Sequence, residues 1–358
     1  MTTPSMPDPT GDAATQPKFT ICVPVWNGAR FIEGILASAL AQSYPHWRLI
    51  VGDNASTDGL SALLASYADP RISHHRWDRH VGPNENFNRT MALADTEWVL
   101  PIGADDRLDP DALERMALAA RAADVADRPV AMLIAACRRV FLDGSSAEAA
   151  YYGSVAPVGV SDGRYDSQQW LAVAATGGPF PWNIGSLALW GPALIESGAF
   201  RPDIGLAADM ELIFRLSTIG DVVYLGAPLM DFAVHPESDG NIQWARNRRN
   251  PDAEVPLARA LLAALQAHEG TRTVREDERL AIRRAAARGY LQRAAQHRVL
   301  NGGLGRRAAL RDVTRALRLS VGTLIEPRSL ALLVGAVAAP ASLLRWASAA
   351  LQRRHHAT

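Results

Sequence analysis

The sequence predicts an α/β fold in which helices flank a mixed, mostly parallel sheet, with an α-helical region at the C-terminal end. Two observations carry this prediction. Short β-branched segments alternate with amphipathic helical segments over residues 19–102, an order that is typical of parallel sheets. The last part of the chain is instead rich in Arg, Ala and Leu at helical spacing.

The first β-α unit begins with a β-branched run at Phe19 to Val25. Pro24 and the Asn27-Gly28 pair are expected to end this strand in a turn. An amphipathic helix is predicted over Ala29 to Gln42, because apolar side chains recur there on one helical face.

Two further units follow. A strand at Trp47 to Gly52 precedes the polar turn Asp53 to Gly59 and a helix at Leu60 to Tyr67. A short third strand is expected around Ile72, followed by a helix at Arg89 to Ala94. Polar turns thus follow the first two strands, at the carboxyl edge where open α/β sheets bind their ligands.

The fourth strand, predicted at Glu97 to Ile102, ends on two adjacent carboxylates, Asp105 and Asp106. Gly103 would let the backbone turn close to a ligand above this edge. Such carboxylates suit a hard divalent cation that neutralises a substrate diphosphate. The alternative is a solvated turn in which they join Asp109 to cap the next helix, and the sequence leaves both interpretations open.

Several blocks in this order resemble glycosyltransferase family 2, whose members are inverting enzymes with the nucleotide-sugar-binding fold called GT-A. The blocks are Val23-Pro24-Val25-Trp26-Asn27, Asp53-Asn54-Ala55-Ser56-Thr57-Asp58-Gly59, Gly82 to Asn88, Ala104-Asp105-Asp106, Asp209 to Arg215 and His235 to Ser238. Each block alone is a weak signal, but their shared order is a strong one. The resemblance implies a GT-A domain over residues 18–250.

The resemblance places the nucleotide of the donor against the ends of the first strands. Asp53 would accept a hydrogen bond from an N–H of the base, with a plain Asx turn as the alternative. UDP, dTDP and GDP all remain open, because uracil, thymine and guanine each offer such an N–H. The other residues implied on the donor side are Pro24, Val25, Trp26, Asn27, Arg79, Asn84, Asn88, Ala104 and Asp105. Asn84 and Asn88 could instead cap the helix beside them.

The resemblance also implies a Mn²⁺ or Mg²⁺ cofactor. Asp105 matches the last carboxylate of the family's Asp-x-Asp motif, which holds the metal at the diphosphate. Gly103 replaces the first carboxylate of that motif, and Asp106 is its nearest substitute. His235 matches a family histidine that completes the metal or diphosphate site.

Asp209 matches the family's general base, which takes the proton of the acceptor hydroxyl. Ala208 replaces the glutamate that precedes this base in the family, and Glu211 is an alternative base. A helix N-cap is the other interpretation of Asp209. Arg215 lies on the same predicted helix and is expected to pair with an acidic neighbour.

Trp182 and Asn183 are candidate acceptor residues, because an aromatic ring beside polar groups is a surface on which a sugar can stack. A buried structural tryptophan is the alternative. Further strands are expected at Asp221 to Leu225 and from Leu229 toward a loop at His235.

The composition fits a cytoplasmic enzyme with one large domain and an appendage: 358 residues, 48% hydrophobic and a formal net charge of zero. Zero net charge gives no support for nucleic acid as a partner. Two cysteines, Cys22 and Cys137, do not suggest a disulfide framework and fit a reducing compartment. Residues 1–17 are expected to form a disordered tail rather than a signal peptide, since they lack an apolar core.

Residues 251–358 are expected to form helices with arginines on their polar faces. An apolar run at Leu330 to Leu344 is shorter than a bilayer span and contains Pro340. Two interpretations remain open for this region. It could lie on the anionic inner surface of the membrane, or pack against the catalytic domain or a second subunit in a homo-oligomer.

The expected function is transfer of a sugar from a nucleoside-diphosphate donor to a hydroxyl acceptor, with inversion at the anomeric carbon. By analogy with the family, the acceptor would be a glycan or a lipid-linked molecule in cell-surface polysaccharide or glycolipid synthesis. A catalytically silent nucleotide-sugar-binding or scaffold protein would instead explain Gly103 and Ala208 as decay.

Two other enzyme classes fit the sequence less well. A sugar-nucleotide-forming nucleotidyltransferase would carry a Gly-rich, basic loop after the first strand, which Pro24 to Arg30 does not resemble. A nicotinamide dehydrogenase would carry Gly-x-Gly-x-x-Gly at the same place, and that motif does not follow the first strand.

Overall fold

The structure, a computed structural model, describes residues 16–123, 128–142, 160–167, 169–170, 173, 184–238 and 305–320, with scattered positions between 258 and 294. Trp182, Asn183 and the apolar run at 330–344 lie outside the described residues, as does the expected tail up to residue 15. The last two tail residues are buried, and Pro17 accepts a hydrogen bond from the Tyr44 hydroxyl at 2.7 Å.

The first half of the fold follows the predicted alternation of strands and helices. Its elements are β1 (Phe19–Val25), α1 (Ala29–Leu40), β2 (Trp47–Asp53), α2 (Leu60–Leu64), β3 (Ile72–Arg76) and α3 (Pro83–Met91). Helix α3 begins at Pro83 rather than at the predicted Arg89, because proline is well suited to the first turn of a helix. Helices α1 and α2 each end a few residues before their predicted ends.

The second half contains shorter and less regular elements. They are β4 (Trp98–Pro101), β5 (Arg107–Leu108), α4 (Ala112–Ala123), β6 (Val130–Phe141), β7 (Gly163–Tyr165), β8 (Leu187–Trp190), α5 (Gly191–Ser197), α6 (Ala208–Ile219), β9 (Asp221–Val234) and α7 (Gly305–Leu319). Two 3₁₀ segments, Ile184–Ser186 and Pro202–Ala207, precede β8 and α6. Strand β9 is one continuous strand where two were predicted.

The nine strands of the described residues form one mixed sheet in the order β3-β2-β1-β4-β8-β6-β9-β5, with β7 paired to β9. Strands β3, β2, β1 and β4 are parallel neighbours, as are β6 and β9. Strands β8, β5 and β7 pair antiparallel with their neighbours. The predicted mixed sheet flanked by helices is therefore confirmed.

The core explains why β1 and β2 are apolar along their length. Ile21, Val23, Leu49 and Val51 are all fully buried, because helices cover both faces of the parallel half of the sheet. Burial of each such side chain contributes about 1.5–3 kcal/mol. The sheet is thus a rigid platform, and the loops at its carboxyl edge can be positioned by it.

Among the described residues, no helix is both long and apolar enough to cross a membrane.

Candidate active site

The acidic turn between β4 and β5 is brought to the end of β9 by strand pairing. Strand β5 runs antiparallel to β9, with Arg107 opposite Asp231. Residues just before Arg107 therefore lie beside residues just after Asp231. As a result, Oδ2 of Asp105 lies 3.0 Å from Nε2 of His235, so two residues predicted from separate sequence blocks are in contact.

Asp106, unlike the partly exposed Asp105, is not accessible to a ligand. Its side chain is buried, and its Oδ1 accepts a hydrogen bond from the backbone N–H of Ala233 at 2.9 Å. Burial raises the pKa of Asp106 well above its usual range, and the nearby charge of Asp105 raises it further. The expectation that Asp106 is a metal ligand is therefore corrected: it fastens the acidic turn to β9. A fully solvated turn is excluded for the same reason.

Gly103 stands where the resembling family has its first carboxylate, and the packing accounts for the difference. A Cβ on Gly103 would lie 2.6 Å from Oδ1 of Asp105 and 3.0 Å from Oδ2 of Asp106. A side chain at position 103 would therefore force the Asp105 carboxylate to shift and crowd that of Asp106. The absence of a side chain at Gly103 thus permits both carboxylates to fold back over the turn.

His235 lies in a small aromatic and charged cluster at the start of α1. Its ring centroid is 4.9 Å from that of Phe31, and the guanidinium of Arg30 lies 4.4 Å from the Phe31 centroid. Arg30 also pairs with Glu237, just beyond β9. The segment after β9 is thereby held against α1 beside Asp105.

The structure contradicts the base-reading role predicted for Asp53. Its side chain is fully buried, Oδ1 accepts from the Ser56 N–H at 2.8 Å, and Oδ2 lies within 3.3 Å of donors on Ser61, His74 and Arg76. Burial acts to raise the pKa of Asp53, but the hydrogen bonds from Ser56, Arg76 and Ser61 outweigh it and leave the pKa below its usual value. Asp53 therefore braces its own turn, as in the Asx-turn alternative.

Trp26, Asn27 and Arg79 are the predicted donor-side residues that are exposed. Trp26 is 54% exposed, and its ring centroid is 4.4 Å from that of His80. Arg79, which directly precedes His80 in the sequence, is also exposed. Asn27, at φ 49°, accepts a hydrogen bond from the Thr57 N–H at 2.8 Å and so joins the β1 and β2 turns.

At the remaining donor-side positions, the groups that a nucleotide could contact belong mainly to the backbone. Val25 is buried, and its carbonyl accepts the Asn54 N–H at 2.8 Å, while Pro24 and Ala104 are partly buried. The side chain of Asn54 is also engaged within the protein: its amide donates to the Val81 carbonyl and accepts from the Val81 N–H, both at 2.8 Å. The amide and carbonyl groups of these turns, not their side chains, are what a nucleotide could contact.

Asn84 and Asn88 bind other parts of the chain. The side-chain amide of Asn88 donates to the Phe200 carbonyl and accepts from the Phe200 N–H, both at 2.8 Å. The amide of Asn84 donates to the Gly205 carbonyl at 3.0 Å. Their predicted contact with the nucleotide is corrected for Asn88, whose amide is engaged at both ends. The alternative, in which these asparagines cap the helix, does not hold either, since α3 has no side-chain cap bond.

Asp209 lies in the first turn of α6, which places its carboxylate near the free N–H groups of the helix. Its Oδ1 accepts the Met210 N–H at 2.8 Å. Burial raises the pKa of Asp209 to about 6, against the lowering effect of that amide. A carboxylate with a pKa of about 6 is largely ionised at neutral pH and is still basic enough to accept a proton.

Glu211 is not available as an alternative base. Its side chain is fully buried, and both oxygens accept hydrogen bonds from Arg215 at 2.8 Å. Arg215 further donates to the carbonyls of residues 197–199 at the end of α5. The prediction that Arg215 pairs with an acidic neighbour is confirmed, and the pair connects α6 to α5.

Sequence reasoning missed Arg76 and Phe31. Arg76 is opposite Asp53 in the parallel register of β2 and β3, so a firm strand assignment around Ile72 would have found it. Phe31 lies within the predicted amphipathic helix at Ala29 to Gln42. Its contact with His235 depends on a long-range packing that no local pattern predicts.

The donor set at this edge fits a divalent cation that arrives with a diphosphate. No group of three or more His, Cys, Asp or Glu side chains within the described ranges could hold a metal unaided. A cation of the Mg²⁺ type often takes only one or two protein ligands, with phosphate oxygens completing the rest. Asp105, 23% exposed, and His235, 11% exposed, supply one oxygen and one nitrogen.

Known proteins show similarity at two levels. Residues 20–130 match the profile of Glycosyl transferase family 2. The succinoglycan biosynthesis protein ExoO of Rhizobium meliloti is 36% identical over 100 residues, which cover 28% of this chain and 29% of that protein. The putative teichuronic acid biosynthesis glycosyltransferase TuaG of Bacillus subtilis is 31% identical over 102 residues, 28% of this chain and 40% of that protein. The matched part thus spans less than half of either relative.

Among solved structures, TarS 1–349 of S. aureus in complex with UDP-GlcNAc superimposes with a TM-score of 0.53 at 14% identity. The match covers 84% of this chain and 90% of that one, so the likeness in fold extends well beyond residue 130. At such low identity it speaks for the fold alone. Residues 20–130 are therefore similar to glycosyl transferase family 2, and the chain shares the fold of TarS, the GT-A fold.

Proposed function

We propose that this protein is an inverting glycosyltransferase that moves a sugar from a nucleoside-diphosphate donor to a hydroxyl acceptor. The observation that carries the proposal is Asp209, an aspartate with a pKa raised to about 6 by burial, in the first turn of α6 within this fold. Asp209 is not the N-cap of α6, because Ala207 occupies that position and the helix has no side-chain cap bond.

In the proposed reaction Asp209 accepts the proton of the acceptor hydroxyl as that oxygen attacks the anomeric carbon. The new glycosidic bond forms on the face opposite the diphosphate, and the bond to the diphosphate breaks in the same step. Its electron pair leaves with the nucleoside diphosphate. One displacement inverts the anomeric configuration, and general base assistance of this kind contributes about 10²–10⁴-fold to a rate.

Asp105 and His235 would hold a Mn²⁺ or Mg²⁺ ion beside the diphosphate. When bound, the ion supplies charge neutralisation for the leaving diphosphate. Neighbouring residues hold Asp105 and His235 in place. The Ala233 N–H donates to Asp106 and so fixes the acidic turn, and Phe31 packs against the His235 ring. The turns after β1 and β2 would receive the base, with Trp26 offering an exposed ring for stacking.

The donor would be UDP-, dTDP- or GDP-linked, and the acceptor a glycan or lipid-linked sugar. Support for the acceptor class comes from the names of relatives, which refer to succinoglycan and teichuronic acid biosynthesis. Support for a nucleotide sugar comes from a protein of like fold that was crystallised with UDP-GlcNAc. We further propose a cytoplasmic location on the inner membrane surface, where lipid-linked acceptors are found.

Calorimetric titration tests the donor site. The full chain is titrated with UDP, dTDP and GDP, each with Mn²⁺ and with EDTA, and the tightest combination is repeated with Asp105→Ala. Metal-dependent binding of one nucleotide, lost in the variant, is the expected result. Asp111→Ala is the matched control, because Asp111 is an exposed aspartate of the next helix region. Failure of all three nucleotides to bind would overturn the proposal.

A catalytically silent nucleotide-sugar-binding protein is the second candidate, favoured by Ala208 in place of a glutamate beside the base. It predicts nucleotide binding without release of nucleoside diphosphate from any sugar donor. The raised pKa of Asp209 comes from burial and does not require a glutamate at position 208. Turnover of a single donor would exclude this candidate.

A further inference from the structure

The connection between α5 and α6, residues 198–207, determines where Asp209 lies. It contains a sharp kink at Gly205, with φ 68° and ψ −125°. This left-handed region favours glycine, and a Cβ there would meet nothing within 4 Å, so the requirement is conformational and not steric. Helix α6 begins three residues later, so a change in the kink would move its first turn.

Helix α3 holds this connection at two points. Asn88 binds both backbone groups of Phe200 at 2.8 Å, and Asn84, one turn earlier on the same face, donates to the carbonyl of Gly205 at 3.0 Å. The rings of Phe87 and Phe200 pack edge to face with centroids 5.5 Å apart. The two asparagines therefore fasten both ends of the stretch from 200 to 205.

Helix α3 is itself fixed to the end of β2, on the proposed donor side. The amide of Asn86 donates to the carbonyl of Gly52 at 3.2 Å and accepts from the Trp77 indole N–H at 2.7 Å. Asn86 is 3% exposed. Helix α3 thus connects the sheet edge that would receive the nucleotide with the connection that leads to Asp209.

The start of the connection has a separate anchor. Arg215 donates to the carbonyls of residues 197–199, so α5 and α6 stay joined without help from α3. Two ion pairs lie on these elements, Arg215 with Glu211 and Arg201 with Asp203 at 2.9 Å, and Glu196 of α5 is exposed. The pKa of Asp209 depends mainly on how far its carboxylate is buried, and the position of α6 determines that burial.

We propose that Asn84 and Asn88 are positioning residues for Asp209, which they serve by holding Phe200 and Gly205 against α3. The inference rests on the proposed role of Asp209 as general base. It assigns these two side chains to the acceptor half of the reaction, although their sequence block suggested the donor half.

The test uses the full chain with Asn84→Ala and Asn88→Ala, and Glu85→Ala as the control on the same helix. Glu85 forms only a partly exposed ion pair with Arg89. Titration of the Asp209 carboxyl is followed by ¹³C NMR, with the resonance assigned by Asp209→Asn. We expect the pKa to fall from about 6 toward its usual value in both asparagine variants, because α6 loosens and water reaches the carboxylate.

Kinetics complete the test with the donor that binds. The asparagine variants should lose roughly 10- to 100-fold in kcat with little change in the donor KM, the effect of a misplaced base. Folded asparagine variants whose Asp209 pKa and kcat equal those of the wild type would overturn the inference. Asn84→Ala is the variant expected to fold, because it removes one partly buried hydrogen bond. If the titration shifts but the wild type transfers no sugar, the proposed function fails and the positioning role stands.

Discussion

Asp209 differs from the other carboxylates of the site in what surrounds it. Asp53 and Glu211 are buried with cationic partners, and Asp106 is buried against a backbone amide. Asp105 is partly exposed beside His235. Asp209 is partly buried and its Oδ1 accepts the Met210 N–H, and burial raises its pKa to about 6, which suits a base that works near neutral pH.

The first prediction concerns activity and pH. Because protonated Asp209 cannot accept a proton, kcat should fall as the pH drops below about 6, and Asp209→Asn should lower kcat by about 10²–10⁴-fold at pH 7.5. Nucleotide affinity should be unchanged. The measurement is a kcat profile from pH 5 to pH 8, and a profile without an acidic limb would contradict the assignment.

The second prediction concerns stability and does not depend on the reaction. The pKa of Asp209 is about 6 in the folded protein and near 3.8 when unfolded, so ionisation destabilises the fold as the pH rises between these values. Asp209→Asn should therefore raise the Tm at pH 7.5, by the equivalent of up to ~3 kcal/mol before solvent screening. The gain should vanish at pH 4. Equal Tm differences at both pH values would count against a raised pKa.

The third prediction concerns Gly103. A methyl group there would displace the carboxylates of Asp105 and Asp106, so Gly103→Ala should weaken Mn²⁺-dependent nucleotide binding by roughly tenfold. Gly82→Ala is the matched control, because a Cβ on Gly82 meets nothing within 4 Å. Calorimetry with and without EDTA measures both. An equal loss of affinity in the two variants would contradict the claim that the site requires a residue without a side chain at position 103.

At the scale of elements, helix α6 is held by an ion pair rather than by its cap. The pair Glu211–Arg215 is buried at both partners, whereas Glu85–Arg89 has the same i,i+4 spacing on the surface of α3. Removing one partner of a buried pair leaves a charge in a site that water cannot reach. The two pairs therefore offer a comparison within one chain.

The fourth prediction follows from this comparison. Glu211→Gln should reduce the free energy of unfolding by about 3–5 kcal/mol, because Arg215 loses its counter-charge. Glu85→Gln should cost less than about 1 kcal/mol. Urea unfolding of the two variants measures the difference. Similar midpoints for both would mean that the Arg215 charge is satisfied by the carbonyls of residues 197–199 alone.

The sequence predicted elements better than contacts. Strands β1 and β2 and helix α1 are dictated by local periodicity, and these predictions are confirmed. Asp53 ends β2 and Asn88 lies in α3, but their partners, Arg76 and Phe200, come from strand register and from packing at long range. A local pattern cannot distinguish a side chain that faces a ligand from one that faces another loop.

At the scale of the whole molecule, the described helix α7 follows the α/β domain in the sequence and is amphipathic. Leu310 and Leu317 are 44% and 37% exposed on the same face as the exposed Arg311 and Arg318. Apolar side chains next to arginines suit the surface of an anionic bilayer. The proposed location at the inner membrane surface draws on this face.

The fifth prediction tests that location. The full chain should float with vesicles that contain phosphatidylglycerol and not with phosphatidylcholine vesicles. Arg311→Glu with Arg318→Glu should weaken flotation, at ~1 kcal/mol for each charge. Concentration-dependent dimerisation in sedimentation, without flotation, would instead support packing against a second subunit.

The central claim is that Asp209 acts as the base in sugar transfer from a nucleoside-diphosphate donor. The most direct measurement is release of nucleoside diphosphate from the sugar donor whose nucleotide binds in calorimetry, with Mn²⁺ and an acceptor, for the wild type and Asp209→Asn. We expect release by the wild type, and a loss of about 10²–10⁴-fold in the variant with binding retained. A wild type that binds the donor and releases nothing, or a variant with undiminished release, would contradict it.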